Sequence, residues 1–213
     1  LWVCNLGFII CSMRIAVSRF PVGLLLTGGG ARAAYQVGVL EAIADLRLAC
    51  GAGVQSNPFP IIAGTSAGAI NAAALACGAD DFDTTVRMIA KTWREFHAHD
   101  VYRSDHLSML RSGATWMTLL SVGWLVARFR RIKPKSLLDN SPLGELLKRL
   151  VPLERLPLLI RHGHLQALAV TASSYSSGDH ITFFEGDKRL MPWVRTQRLA
   201  VRDKITHAHL LAS

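Results

Sequence analysis

A short apolar run at 22–27, VGLLLT, stops at three consecutive glycines, the pattern of a buried strand ended by a turn. Beyond the glycines, Tyr35, Val39, Ile43 and Leu46 recur at intervals of four, four and three residues. That spacing predicts an amphipathic helix with these four side chains on one face, turned to the core. Residues 50–60, with Gly, Asn and two prolines, read as a loop. A second strand is predicted at 60–65, PIIAGT, and a helix of small residues at 67–77, AGAINAAALAC. Strand, helix, strand, helix with short links predicts an α/β fold, a parallel-sheet core covered by helices. Further on, 81–98 has Val86, Ile89, Trp93 and Phe96 on one side of a helix, and 141–150 opens with a Ser cap followed by Pro. Two strand-like stretches, 164–171 and 180–185, flank the turn-rich SSYSSGD and predict a hairpin. One more helix is expected within 203–212. With no internal repeat or low-complexity stretch, one continuous domain is expected.

Composition narrows the class. Half of the 213 residues are hydrophobic and 18% are charged, which excludes a disordered chain. Cys4, Cys11, Cys50 and Cys77 form no CxxC pair, which argues against a zinc ribbon and suggests reduced thiols in a cytoplasmic protein. The net charge of +9 is unevenly spread. Residues 101–135 carry Arg103, Arg111, Arg128, Arg130, Arg131, Lys133 and Lys135 against the single acid Asp105, giving +6 in that stretch. Such a patch suits an anionic partner, a membrane or a nucleic acid. At the start, LWVCNLGFIICS is apolar but too short to cross a bilayer, and it lacks the basic front of a secretory signal. Met13 is a candidate initiator, so residues 1–20 are set apart as an uncertain N-terminal segment that need not be native.

The sharpest chemical feature is Gly64-Thr65-Ser66-Ala67-Gly68, a GxSxG pentapeptide between the second strand and its helix. A nucleophile at a tight strand-to-helix turn has a strained backbone, and its neighbours two residues away must lack side chains. Ser66 would then stand at a helix N-terminus, whose dipole favours developing negative charge. Read alone, the pentapeptide also fits a turn in which Ser66 is a simple helix cap. The second feature is Gly28-Gly29-Gly30-Ala31-Arg32-Ala33 after the first strand. Its uncovered N–H groups suit an anion, either a dinucleotide phosphate or the oxyanion of an acyl-transfer intermediate. A dinucleotide site needs an acid about 20 residues on; positions 50–55 are CGAGVQ, which weakens that reading.

A Gly-rich anion loop after one strand and a nucleophile elbow after the next together resemble the patatin-like phospholipases. The family pattern is a GGGx[RK]G loop followed by GxSxG, here Gly28–Ala33 and Gly64–Gly68. SLLDNSPLGELL at 136–147 and ALAVTASSYSSGDHITFFEG at 167–186 are similar to later family blocks, so the resemblance covers 21–213. It implies a patatin-like hydrolase fold and a lipid acyl hydrolase, a phospholipase or esterase. Its Ser–Asp dyad has Ser66 as nucleophile, and no metal or other cofactor is implied. The oxyanion donors would be the backbone N–H groups of Gly28, Gly29, Gly30 and Ala67, with Gly64, Gly68 and Arg32 supporting the motif. For Arg32, shaping the loop, meeting a lipid phosphate, or steadying a helix start are equally open.

Two departures stand out. Ala33 replaces the usual glycine, which matters little if that position is helical. The family's aspartate stands in an Asp-Gly turn, and these 213 residues contain no Asp-Gly dipeptide. None of Asp80, Asp81, Asp83, Asp139, Asp179, Asp187 or Asp203 sits in a matching context. The expectation is a partial patatin-like domain over 21–213, incomplete at its C-terminus and lacking its general base. The alternative is a truncated, non-catalytic membrane-associated domain. The HxH pairs His97/His99, His162/His164 and His207/His209 lack a shared carboxylate or Cys cluster and read as surface histidines. Residues 114–135 place Trp116, Trp124 and Phe129 beside Arg128, Arg130, Arg131, Lys133 and Lys135, which suits peripheral contact with an anionic membrane; a buried helix with a solvated basic end is the other reading. No nucleic-acid module is recognisable, so nucleic acid is not expected as a partner. The predicted location is cytoplasmic or peripheral to a membrane.

Overall fold

The computed structural model describes residues 21–51, 57–95 and 141–213. Six strands form one mixed sheet: β1 (Gly23–Leu26), β2 (Ile61–Thr65), β3 (Ala167–Ser173), β4 (His180–Gly186), β5 (Trp193–Arg195) and β6 (Arg198–Arg202). Their order is β1-β2-β3-β4-β6-β5. The first three are parallel, with Leu26 opposite Gly64 and Thr65 opposite Thr171. β3 and β4 are antiparallel, with Ser173 opposite His180 across the expected hairpin. β4 and β6 are parallel again, and β5 closes the edge against β6 in antiparallel fashion.

Helix α1 (Ala33–Ala49) follows the glycine loop after a single 3-10 turn at Gly30–Arg32. Helix α2 (Ala67–Cys77) follows β2 after one residue, and α3 (Phe82–Glu95) comes next. Helix α5 (Leu156–Arg161) precedes β3, and α6 (His207–Ala212) follows β6. The described residues up to Arg94, together with Val151–Ser213, form one compact unit. Glu95–Leu150 is the other, in which α4 (Ser141–Leu150) occupies the predicted span.

The core follows from side-chain size. Helix α2 buries Ala69, Ala72, Ala73, Leu75, Ala76 and Cys77 almost completely. Its alanines let the helix axis come close to β1, β2 and β3, which themselves bury Leu26, Ile62, Leu168 and Val170. Burying a leucine or isoleucine here stabilises the fold by about 1.5–3 kcal/mol. Cys77 belongs to this layer, and burial pushes its thiol up to about 12, whereas Cys50 is exposed. A thiol-specific reagent at pH 8 is expected to modify Cys50 in the native protein and Cys77 only after unfolding. Peptide mapping checks this, and native labelling of Cys77 at the Cys50 rate would contradict the packing.

The face predicted for α1 is corrected. Ala33, Val37, Leu40 and Ala44 are buried, while Tyr35 is 80% and Leu46 64% exposed. Val39 is exposed as well, and Ile43 is half-buried. Apolar residues occur around this helix, so periodicity alone selects no face; the slimmer stripe of Ala33, Val37 and Ala44 packs best. Two elements had no clear sequence signal. The exposed β5 joins β6 through Thr196 and Gln197, with Gln197 at φ 57, a turn without the usual glycine or asparagine. Helix α5 carries Pro157 in its first turn, a position where proline is tolerated.

Candidate active site

Parallel strands β1 and β2 deliver their two chemical motifs side by side. Ser66 is the residue between β2 and α2, and its backbone has φ 56 and ψ −131. An L-residue avoids this conformation, at a cost of about 1–3 kcal/mol, and it persists only where the surroundings impose it. The hydroxyl makes no capping hydrogen bond to α2. Among the described residues nothing hydrogen-bonds Ser66 Oγ, so the serine stands as an open hydroxyl at the N-terminus of an eleven-residue helix.

The two glycines of the pentapeptide have steric reasons. A Cβ on Gly64 would lie 2.6 Å from Ala69 Cα and would also meet the Gly68 carbonyl oxygen. A Cβ on Gly68 would lie 2.7 Å from the Leu26 carbonyl carbon and would overlap the carbonyl oxygens of Leu26 and Thr27. The elbow is thus pressed against the end of β1, from which the glycine loop departs. That closeness brings the loop onto the serine: a Cβ on Gly28 would stand 3.2 Å from Ser66 Cβ and 4.0 Å from Ser66 Oγ. Gly30 has φ +55 with open space around it. Ala67 begins α2, and the first N–H groups of a helix have no intrahelical partner. The N–H groups of a glycine loop and of a helix start therefore flank the hydroxyl of a half-buried serine.

The loop is tied down by residues that sequence reasoning did not select. Gln36 Nε2 donates to the Thr27 carbonyl at 2.7 Å, immediately before Gly28. Asn71, 1% exposed on α2, donates to the Ala33 carbonyl at 3.1 Å and to Gln36 Oε1 at 3.3 Å. Its own oxygen accepts the Trp93 indole N–H at 2.8 Å. Asn71 thus bonds both to Ala33, just past the loop, and to Gln36, which anchors the residue before it. A signal was present: Asn71 is the only polar side chain in AGAINAAALAC. On the other side, the Ser66 N–H donates to Ser213 Oγ at 2.7 Å.

The remaining candidates fall into place by register. Arg32 is exposed at the start of α1, and among the described residues its guanidinium makes no hydrogen bond or ion pair. A cation at a helix N-terminus opposes the helix dipole, so this charge does not steady α1. Asp80 and Asp81 follow the C-terminus of α2, roughly 16 Å of helix away from Ser66. Asp83 is buried, with Arg47 Nε at 3.9 Å. Asp187 follows Gly186, which pairs with Ala167 at the start of β3, the opposite end of the sheet from Thr65. Asp203 donates its N–H to the Phe184 carbonyl, level with Ala169. Of these described aspartates, Asp179, in the hairpin beyond Ser173, alone lies past the end of β3 that Thr65 faces. Asp139 lies outside the described residues.

Among the described histidines, His207 Nε2 is 3.0 Å from the Val151 carbonyl and His209 stacks on Phe183 at 4.3 Å. The rings of His162 and His164 lie 6.4 Å apart. No group of three His, Cys, Asp or Glu side chains gathers as a metal site among the described residues. His97 and His99 lie outside them, as does the basic segment 114–135. No described helix is long and apolar enough to cross a membrane.

The chain is 33% identical over 105 residues to YjjU, an uncharacterised protein of Escherichia coli (strain K12), a match covering 49% of this chain and 24% of YjjU. No solved structure matches it. The family model for patatin-like phospholipases matches residues 24–199, a span holding both the glycine loop and the elbow, and on that match the chain belongs to the patatin-like phospholipase family.

Proposed function

We propose that this chain is a serine-nucleophile acyl hydrolase of lipid esters, with Ser66 as the nucleophile. The observation that supports it most is the contact of the Gly28 loop with a strained, uncapped Ser66 at a helix N-terminus. Ser66 Oγ attacks the ester carbonyl carbon, and the carbonyl oxygen takes up the electron pair as an oxyanion. Backbone N–H groups of Gly28, Gly29, Gly30 and Ala67 receive that charge, each donor worth on the order of 100–1000-fold in rate. Collapse expels the alcohol and leaves an acyl ester on Ser66, which water then hydrolyses to the free acid. By resemblance the general base is an aspartate in an Asp-Gly turn, forming a Ser–Asp dyad. Arg32, with its exposed guanidinium beside the loop, is suited to a lipid phosphate.

The experiment is product analysis. The full-length protein, incubated with phosphatidylcholine or phosphatidylglycerol vesicles, is expected to release one fatty acid and the matching lysolipid. Absence of free acid from every phospholipid and from short-chain p-nitrophenyl esters would contradict the hydrolase reading.

Residues 114–135 are proposed to hold the enzyme at an anionic membrane, on the strength of their five clustered cations and their Trp, Leu and Phe residues. Each cation near such a surface is worth about 1 kcal/mol. Replacing Arg128, Arg130, Arg131, Lys133 and Lys135 by Gln is expected to weaken binding by several kcal/mol in low salt and by less as salt screens the attraction. Trp116→Ala with Trp124→Ala is expected to cause a loss that persists in high salt, because ring burial is not electrostatic. Co-sedimentation with anionic vesicles reads both. A five-fold variant that pellets like the parent would sink the docking proposal.

A further inference from the structure

The geometry points to Ser213 as a positioning residue for the nucleophile, an inference that rests on the hydrolase reading of Ser66. Pairing between β2 and β3 ends at Thr65 and Thr171, where the chain leaves the sheet to enter the elbow. At that point the Ser213 hydroxyl fills the opening. Ser213 Oγ accepts the Ser66 N–H at 2.7 Å and donates its proton to the Thr171 carbonyl at 2.6 Å. The direction is fixed by chemistry, because a carbonyl oxygen can only accept and a backbone N–H can only donate. One hydroxyl thus acts as the last rung of the ladder.

The bridge holds the elbow from the side opposite the helix. On the helix side, the Ser66 carbonyl accepts from the N–H groups of Ala69 at 2.8 Å and Ile70 at 3.3 Å. With both backbone groups of Ser66 engaged, its positive φ is imposed from two directions, as a strained conformation requires. The bridge also occupies the Ser66 N–H, so that group is not an oxyanion donor. Ser213 is in turn fixed by α6, which opens with a reciprocal cap between Thr206 and His209 and buries Leu210. Since Ser213 Oγ touches the backbone of Ser66, its role is to set where Ser66 Oγ points.

In the full-length protein, Ser213→Ala is expected to lower kcat by about tenfold to a hundredfold, the scale of a misplaced reacting group, with KM changed less than twofold. Ser213→Thr, which keeps the hydroxyl, is expected to recover most of that loss. Hydrogen exchange at the Ser66 amide is the second readout and requires no turnover, so it remains decisive even if the chain hydrolyses no ester. It should accelerate at least about tenfold in Ser213→Ala, as expected when a protecting hydrogen bond is removed, and stay near the parent rate in Ser213→Thr. Should Ser213→Ala fail to fold, Ser213→Cys, close in size and a weak hydrogen-bonding group, is expected to show both changes. Parent-like exchange at Ser66 in the alanine or cysteine variant, or a parent-like kcat alongside fast exchange, would overturn the assignment.

Discussion

Gly68→Ala is expected to destabilise the fold by at least about 3 kcal/mol, at the severe end for one added methyl group. The new Cβ would sit on the carbonyl oxygens of Leu26 and Thr27. These are backbone atoms, Leu26 paired with β2 and the Thr27 carbonyl just beyond β1 bonded by Gln36, so no side chain can swing aside. Relief requires α2 to withdraw from the sheet, opening the contacts of Ala69, Ala72 and Ala73. For a domain of this size the loss corresponds to roughly 6–12 °C in Tm. Gly38→Ala supplies the contrast. Gly38 lies in α1, exposed, with nothing near its would-be Cβ, and alanine there is expected to stabilise by about 0.5–1 kcal/mol. Thermal unfolding of the two variants should therefore move in opposite directions. A Gly68→Ala protein melting with the parent would contradict the close approach of α2 to β1.

Ser66→Ala is expected to reduce ester hydrolysis by on the order of 10³–10⁶-fold, the range for removing a serine nucleophile. Stability should barely change, because alanine keeps the Cβ and the same backbone conformation. Ser66→Gly separates chemistry from strain. Glycine adopts φ 56 without penalty, so this variant is expected to lose hydrolysis equally while gaining about 1 kcal/mol of stability. That pairing of lost activity with gained stability is what a strained nucleophile predicts. A helix-capping serine would instead lose stability, about 1 kcal/mol as alanine and a few tenths as glycine.

Much of this site was legible in the sequence because its constraints are local. A GxSxG between an apolar strand and an Ala-rich helix marks a tight strand-to-helix turn, and GGG after a strand marks a glycine loop, and both are present. Strand and helix spans near them were also close, since β1, β2, α2 and the β3–β4 hairpin are bounded by glycine or turn residues. What could not be read depends on distant contacts. The buried face of α1 is not legible because Val39, Ile43 and Leu46 are as apolar as Val37 and Leu40, and only packing decides between them. The network of Gln36, Asn71 and Trp93 spans three helices, and each of its residues is unremarkable alone. The bridge from Ser213 to Ser66 crosses 147 positions, and no spacing rule announces it.

The central claim is that Ser66 is the nucleophile, and covalent labelling tests it most directly. The full-length protein is treated with a serine-directed alkyl fluorophosphonate, digested and mapped by mass spectrometry. The predicted result is one adduct per chain, on the peptide holding Gly64–Gly68 and assigned to Ser66, absent in Ser66→Ala and blocked by prior incubation with a slowly turned-over ester. An adduct on another residue, or undiminished labelling and ester turnover in Ser66→Ala, would contradict it.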